Sequence, residues 1–243
     1  MAQFLDRFKL TYELHHIIEG AKEYLFLISP YIKLNDSIKR SLSKHKDNKK
    51  FELFVVYGKN EDDRTKSLSD YDLDFFKSFP NVTIGYHKRL HAKMYVNESS
   101  CLLTSMNLHD YSMKENIEFG ILTHTKLTDM LLNSLDNDTV KFAEYIIEKS
   151  TEEFKRKVKK EKSFLGLFTK YGESEIQVEK NRHGYCIRTG MQISFDPSHP
   201  YSVDAFFSWN RYKNFDYKEK FCHQCGKQVM SSMRHPLCED CSR

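Results

Sequence analysis

Short apolar runs alternate with stretches of helical periodicity over residues 1–125. The apolar runs, each of which predicts a buried strand, are residues 24–28, 51–57, 82–86, 93–96, 101–103 and 117–122. Residues 10–18 and 68–79 carry apolar side chains at helical spacing, and Asn35 suits the N-cap of a helix bearing Ile38 and Leu42. Strands that alternate with helices predict an α/β fold, in which helices pack on the faces of a sheet.

The middle of the chain is polar and strongly charged. Residues 127–162 have a pattern that predicts a helix, with a break near residues 136–138. Its last part, residues 149–162, holds seven basic and three acidic residues. This segment is either the solvated end of a long helix or a contact to a phosphate backbone. Residues 163–180 read as a connector, whose apolar patch Phe164–Phe168 either packs on the protein or contacts a membrane.

The last 60 residues contain an internal repeat. Without a gap, Cys186 aligns with Cys222, Gly190 with Gly226, Gln192 with Gln228, and His199-Pro200 with His235-Pro236. The second copy has cysteines at 222, 225, 238 and 241, where the first copy has Cys186, Thr189, Ser202 and Ala205. Two modules of common origin are the simplest interpretation, and only the second retains a full set of metal-ligating side chains.

The second copy predicts a zinc site. Cys222-x-x-Cys225 and Cys238-x-x-Cys241 are separated by 12 residues, so that each pair can form a knuckle. Four thiolates suit tetrahedral zinc, and because they leave no open coordination position the metal is expected to be structural. Such modules are typical of zinc ribbons, which bind either nucleic acid or protein.

The first copy has one cysteine and cannot hold zinc in this way. We expect a metal-free ribbon-like fold there, with Cys186 buried. Its stability is expected to come from aromatic packing of Tyr185, Phe195, Tyr201, Phe206, Phe207 and Trp209.

Composition narrows the class of protein. The chain has 243 residues, of which 40% are hydrophobic and 14% aromatic, enough for a globular core. No apolar run approaches the length of a membrane span, and the charged N-terminal segment is unlike a signal peptide. Clustered cysteines without an export signal favour metal ligation over disulfides, so a cytoplasmic location is expected. The net charge of +4 decides little about partners.

The segment around residues 91–118 holds the candidate chemistry. In an alternating strand His91 and Lys93 project to the same side. Lysine supplies positive charge, while Ser105 and Asn107 supply neutral donors, so the set describes an anion site with a nucleophile. Glu118 is able to hold the imidazole in one tautomer.

At these residues the sequence resembles the phospholipase D superfamily, whose signature is H-x-K-x4-D-x6-G-S-x-N. His91-x-Lys93 and Ser105-x-Asn107 fit, and Asn116-x-Glu118 is similar to the Asn-x-Glu that follows the signature in compact bacterial nucleases of the family. Glu98 replaces the aspartate, Thr104 replaces the glycine, and the spacer is one residue shorter. Residues 24–31 are also similar to the first strand of the family's domain. The resemblance covers about residues 5–150 and implies a mixed sheet flanked by helices.

The resemblance also implies a role for each residue. His91 attacks the phosphodiester phosphorus, and a second histidine protonates the leaving oxygen. Lys93, Ser105 and Asn107 bind the nonbridging oxygens, and Glu118 orients His91. No catalytic metal is implied. Because the motif occurs once and the mechanism uses two histidines, the chain is expected to form a homodimer with a shared active site.

The expected organisation is a phospholipase D-like catalytic domain (1–150), a basic helix and connector (151–180), a degenerate ribbon-like repeat (181–215) and a four-cysteine zinc ribbon (216–243). The expected function is that of a hydrolase, a metal-independent nuclease that cleaves DNA or RNA. Two alternatives remain: a lipid-acting phospholipase, and a catalytically silent adaptor that binds nucleic acid or a protein partner through its tail.

Overall fold

The computed structural model describes residues 2–60, 63–124, 135–162 and 169–242 of the chain. The chain divides into two compact units, Met1–Glu179 and Lys180–Arg243. We call them the N-terminal unit and the C-terminal unit, and each is described by itself. The patch Phe164–Phe168 lies outside the described residues.

The N-terminal unit alternates strands and helices over most of its length. Its strands are β1 (Gln3–Asp6), β2 (Tyr24–Ile28), β3 (Ile32–Lys33), β4 (Glu52–Gly58), β5 (Val82–His87), β6 (Met94–Asn97), β7 (Ser100–Thr104), β8 (Leu108–His109), β9 (Phe119–His124), β10 (Thr151–Lys162) and β11 (Thr169–Glu179). Its helices are α1 (Arg7–Gly20), α2 (Asp36–Ser43), α3 (Asp70–Lys77), α4 (Asp110–Lys114) and α5 (Leu135–Lys149).

The main sheet is mixed, with the strand order β1-β9-β7-β6-β2-β4-β5-β10-β11 among the described residues. Strands β2, β4 and β5 run parallel to one another, and the other neighbouring pairs are antiparallel. The predicted fold class, a mixed sheet flanked by helices, is confirmed.

Helices cover both faces because successive residues of a strand point to opposite sides. Leu25 and Leu27 of β2 belong to the core beneath α1, α2 and α3, whereas Phe26 and Ile28 pack in a second cluster with residues of α5. This two-sided burial explains why β2 is an unbroken apolar run in the sequence. The predicted cap of α2 is confirmed, since Asn35 Oδ1 accepts a hydrogen bond from the Ile38 backbone N–H at 2.9 Å.

The basic segment predicted as the end of a helix is a strand instead. Helix α5 ends at Lys149, and residues 151–162 form β10, which pairs with β5 on one side and β11 on the other. Its buried apolar side chains, Phe154 and Val158, are four residues apart. That spacing fits a period of two as well as a helical turn, so the pattern did not separate the two. Residues 169–179, predicted as connector, form the outer strand β11.

The positive charges of β10 are largely paired within the sheet. Lys157 and Lys160 lie 2.9 and 3.2 Å from the Glu52 carboxylate, and Lys159 lies 2.9 Å from that of Glu175. A run that reads as basic in sequence therefore lies beside carboxylates of β4 and β11.

The C-terminal unit contains two β-hairpins separated by a helix. Its elements are β12 (His183–Tyr185), β13 (Gln192–Ser194), α6 (Val203–Asn210), β14 (Glu219–Phe221) and β15 (Gln228–Ser231). Strands β14 and β15 begin 36 residues after β12 and β13, which is the offset of the sequence repeat.

The two copies also contact each other reciprocally. The Tyr185 N–H donates to the His223 carbonyl at 2.6 Å, and the equivalent Phe221 N–H donates to the Ile187 carbonyl at 2.9 Å. Residue i of one copy thus contacts residue j of the other, and j contacts i, as in a two-fold interface. The repeat seen in sequence is a pseudo-symmetric pair of hairpins in the structure.

Within the part of the chain that is described, no helix has both the length and the apolar character needed to cross a membrane.

Candidate active site and candidate metal centre

The predicted site residues lie beside strand ends that meet at one edge of the sheet. Because β6 is antiparallel to β2, its first residue Met94 pairs with Ile28, the last residue of β2. Strand β7 ends at Thr104, opposite Gly120 near the start of β9. The segments before β6, after β7 and before β9 are therefore neighbours, although they are 10–25 residues apart in sequence.

His91, Lys93 and Ser105 line one open cleft of about 410 Å³ at this edge. His91 is exposed and Lys93 is half-buried. Both residues precede β6, which begins at Met94 rather than at Lys93 as predicted, and Lys93 Nζ lies 3.0 Å from the His91 carbonyl oxygen. The lining of the cleft also includes the apolar residues Phe119 and Ile121.

Glu118 is buried next to the cleft and holds Ser105. One of its carboxylate oxygens accepts a short hydrogen bond from Ser105 Oγ, and the other accepts from Asn116 Nδ2 at 3.1 Å. The Phe119 N–H donates to Ser105 Oγ at 3.2 Å, which further fixes the hydroxyl. Among the described residues no hydrogen bond joins Glu118 to His91, so the carboxylate positions the serine in this structure rather than the predicted imidazole.

Asn107 lies in the loop after β7 and is bound to Ser29. Ser29 Oγ lies 3.4 Å from Asn107 Oδ1 and accepts a hydrogen bond from the Leu108 N–H at 3.0 Å. Because Oδ1 is the acceptor, the Asn107 amide nitrogen remains available to donate, and it has no partner among the described residues. Asn107 is not among the side chains that line the cleft.

Two lysines set the electrostatics of His91. The positive charge of Lys93, followed by that of Lys59, lowers the pKa of His91 below its ordinary value. Partial burial lowers the pKa of Lys93 as well, against the opposing effect of Glu118. A lowered imidazole pKa favours the neutral form, which is the nucleophilic one.

The two departures from the family signature have structural explanations. Glu98 lies at the opposite end of β6, where its carboxylate accepts hydrogen bonds from the backbone N–H groups of Lys22 and Glu23 at 2.8 and 3.4 Å. It supports the start of β2, and the length of β6 separates it from His91. Thr104 donates to the Phe119 carbonyl at 2.5 Å and so joins β7 to β9.

Two further residues of this edge were not among the predicted site residues. Ser29 directly follows β2, and Lys59 directly follows β4; β2 and β4 are parallel, so both residues lie at the same edge as His91. Lys59 has a left-handed backbone (φ +65°), and its carbonyl accepts from Tyr86 Oη at 2.7 Å. Polar residues immediately after buried parallel strands are the signal that identifies both.

The four predicted cysteines form a candidate metal centre. The sulfur atoms of Cys222, Cys225, Cys238 and Cys241 all lie within 4.8 Å of one another. Cys225 Sγ and Cys238 Sγ are 3.8 Å apart, and bonds of about 2.3 Å in a tetrahedron imply sulfur separations of about 3.8 Å. The donor set therefore fits a tetrahedral metal.

Comparisons with known proteins give structural similarity only. No protein-family model matches the chain, and no curated protein matches it. NucT from Helicobacter pylori is similar with a TM-score of 0.47 and 13% identity, over 63% of this chain and 98% of that one.

A phospholipase D family member, Nuc from Salmonella typhimurium, is similar with a TM-score of 0.48 and 11% identity, over 63% of this chain and 97% of its own. A phosphatidylserine synthase from Haemophilus influenzae Rd KW20 is similar with a TM-score of 0.47 and 15% identity. The match covers 63% of this chain and 39% of the synthase chain. Phospholipase D family structures are thus among those similar to this chain, as the sequence resemblance implied.

Proposed function

We propose that this chain is a phosphodiesterase that cleaves nucleic acid through a phosphohistidine intermediate. The observation that carries the proposal is the cleft in which an exposed His91, a half-buried Lys93 and Ser105 face one space. A neutral imidazole beside a cation and a hydroxyl donor is suited to attack on a phosphate ester.

The first step forms one bond and breaks one bond. A ring nitrogen of His91 attacks phosphorus, and the bond from phosphorus to the leaving oxygen breaks. Lys93 neutralises the developing negative charge on the nonbridging oxygens. In this structure Ser105 Oγ donates to the Glu118 carboxylate. When substrate binds, the same hydroxyl turns to donate to a phosphate oxygen. The Asn107 amide nitrogen supplies a further donor.

The second step returns the enzyme to its starting state. A second histidine has given its proton to the leaving oxygen during the first step, and it now takes a proton from water. That water attacks the phosphohistidine, the phosphorus–nitrogen bond breaks, and His91 is regenerated. Every group that moves a proton in this scheme is a protein side chain or water.

The second histidine is proposed to be His91 of another copy of the chain. An exposed apolar surface beside the cleft supports this arrangement. Phe4 of β1 stacks on Phe119 with 6.1 Å between ring centroids, and both rings are more than half exposed. Ile117 is fully exposed two residues before Phe119, which lines the cleft. Apolar side chains at the mouth of a polar site suit a contact between protomers that brings two sites together.

Cleavage of end-labelled nucleic acid tests the activity. The zinc-loaded protein and its His91→Ala variant are incubated with single- and double-stranded DNA and RNA, with brief EDTA. We expect cutting that persists in EDTA and falls at least about 1,000-fold in the variant. Equal cutting by the variant would contradict the proposal, and release of headgroup from vesicles without cutting would favour the lipid enzyme.

Mixing of chains tests the shared site. Increasing amounts of His91→Ala chain are added to a fixed amount of wild type under conditions of subunit exchange. A shared site predicts that activity falls as mixed dimers form, while an independent site predicts no change. Ile117→Asp is expected to yield monomers with little activity, and Tyr71→Asp, at an exposed ring on α3, is the control.

The pH profile tests the role of the neutral imidazole. Because His91 attacks phosphorus in its neutral form, the rate falls as pH drops through its lowered pKa. Lys59→Met removes a positive charge, so the pKa of His91 rises and the acid limb moves to higher pH. Lys66→Met removes an exposed charge that is paired with Asp63, and its profile is expected to match wild type. An unmoved acid limb in Lys59→Met would refute the electrostatic assignment.

We further propose that the four-cysteine centre holds structural zinc. Cys222, Cys225, Cys238 and Cys241 would supply four thiolates, which suit zinc and complete its coordination. The metal would stabilise the second hairpin and take no part in the reaction. Metal analysis of the purified protein is expected to give one zinc per chain.

A further inference from the structure

The net charge of the chain resides in the C-terminal unit. The N-terminal unit contains 28 basic and 28 acidic residues, whereas the C-terminal unit contains ten basic and six acidic residues. This difference equals the whole formal net charge of +4. Zinc with four thiolates carries a charge of −2, so the zinc-loaded C-terminal unit keeps a net positive charge of about +2, which favours polyanions.

The same unit has an aromatic pocket of about 360 Å³ that the zinc centre does not use. Its lining consists of Arg188, Ser208, Trp209, Tyr212, Asn214 and Tyr217. The Tyr212 side chain is 83% exposed and that of Tyr217 is 54% exposed, whereas Trp209 is buried. Two exposed rings on a pocket, with a buried indole in its wall, form a platform on which a flat ligand can stack.

Hydrogen bonds hold the walls of the pocket in place. Trp209 Nε1 donates to the Asn214 carbonyl at 2.9 Å. Arg188 donates to both carboxylate oxygens of Glu219 and, through its second terminal nitrogen, to Ser208 Oγ at 2.9 Å. Because the buried Glu219 fixes this guanidinium in place, the pocket is formed before a ligand arrives.

Positive side chains alternate with the exposed rings along the chain. Arg211 and Lys213 flank Tyr212, and Lys218 follows Tyr217; all three basic side chains are exposed. Within the described residues none of the three forms an ion pair. Unpaired cations beside stacking rings are the combination that binds single-stranded nucleic acid.

We propose that this pocket binds an unpaired base of single-stranded DNA or RNA, with Arg211, Lys213 and Lys218 near the adjoining phosphates. The alternative ligand of an aromatic pocket, a methylated lysine in a peptide, is cationic. The flanking cations Arg211, Lys213 and Lys218 repel such a ligand, so charge favours nucleic acid. The proposal adds to the proposed function without depending on it, because binding is measured on a chain that does not cleave.

Fluorescence of Trp209 gives a direct probe, since it is the one tryptophan of the chain. Full-length, zinc-loaded His91→Ala protein is titrated with a short thymidylate oligonucleotide. The same measurement is made with an abasic strand of equal length, with a duplex and with a trimethyl-lysine peptide. We expect saturable quenching by the oligonucleotide, and weaker binding of the abasic strand and the duplex by about ten-fold or more.

Substitutions then locate the base. Tyr212→Ala is expected to weaken binding of the oligonucleotide by about ten-fold, because one stacking contact is lost, whereas Tyr212→Phe retains it. Phe207→Ala removes an exposed ring on α6 outside the pocket lining and is expected to leave affinity unchanged. Zinc content and circular dichroism confirm that each variant is folded.

Equal affinity for the abasic strand, or an unchanged affinity in Tyr212→Ala, would overturn the proposal. Quenching by the peptide but not by the oligonucleotide would overturn it as well and would assign the pocket to a protein partner. Neither result would bear on cleavage by His91, which is measured separately.

Discussion

The two copies of the C-terminal repeat share a backbone but differ in what holds it together. In the first copy the Gly190 N–H donates to the Cys186 carbonyl at 2.8 Å, and in the second the Gly226 N–H donates to the Cys222 carbonyl at 3.0 Å. The turn that contains the fourth ligand position is also shared. The Phe206 N–H donates to the Ser202 carbonyl in the first copy, and the Ser242 N–H donates to the Cys238 carbonyl in the second.

The side chains inside this common frame are different. Where the second copy has four sulfur atoms, the first has only that of Cys186, which lies 3.5 Å from Ser202 Oγ. Cys186 also packs in an apolar cluster with Tyr201, Ala205 and Trp209. In the first copy the chain after Ala205 continues as helix α6, and Trp209 on that helix closes the cluster. The same arrangement thus presents four sulfur atoms that fit a tetrahedral metal in one copy and an aromatic cluster in the other.

The largest expected effect is the loss of one zinc ligand. Cys225→Ser is expected to abolish stoichiometric zinc binding and to unfold the second hairpin, because metal binding supplies about 10 kcal/mol or more to such modules. Zinc analysis and amide exchange of the C-terminal unit measure this. The matched substitution in the first copy, Thr189→Ala, removes a hydrogen bond to the Met191 N–H and is expected to cost about 1 kcal/mol. Similar effects at the two positions would mean that zinc does not stabilise the second copy.

Most of this comparison could be predicted from the sequence, because the two copies share identical residues at a constant offset. Cys186 is buried as predicted, and Tyr201, Phe206 and Trp209 pack in its cluster. Phe207 was predicted to join them but is 64% exposed, and Phe195 stacks on His223 of the other copy. Which aromatic rings face inward depends on the register of α6, and the sequence alone did not specify it.

The N-terminal unit shows the same division between local and long-range information. Six of its strands, β2, β4, β5, β6, β7 and β9, followed from apolar runs, whereas the short strands β1, β3 and β8 were not predicted. The residues that lie together at one edge of the sheet followed from a spaced motif. The partner of Glu118 and the contribution of Lys59 did not, because they depend on the order of strands that are distant in sequence. For β10 the error was local, since charged residues and a four-residue apolar spacing fit both a helix and a strand.

Restoring the missing ligands would sharpen the comparison next. Thr189→Cys, Ser202→Cys and Ala205→Cys together with Cys186 place four thiols at the positions equivalent to Cys222, Cys225, Cys238 and Cys241. Because both turns that present these positions are shared, we expect the zinc content to rise from one to two per chain. A double variant without Ala205→Cys is the control and should bind the second zinc more weakly. An unchanged zinc content would show that the backbone of the first copy does not place the four thiols in a tetrahedral arrangement.

The smallest effects concern the glycine that each copy places against an aromatic ring of the other. Gly226 and Gly190 have left-handed backbones (φ +68° and +73°), and an added Cβ would lie 2.9 Å from the Tyr185 ring and 3.1 Å from the Phe221 ring, respectively. Each change to alanine combines backbone strain with crowding and is expected to cost about 1–3 kcal/mol, with Gly226→Ala the more costly. Trp209 fluorescence during urea unfolding reports this unit alone, since the N-terminal unit has no tryptophan. Phe207→Ala, which removes an exposed ring on α6 of the same unit, is the control. If neither variant lowered the unfolding midpoint, the reciprocal packing of the two copies would not contribute to stability.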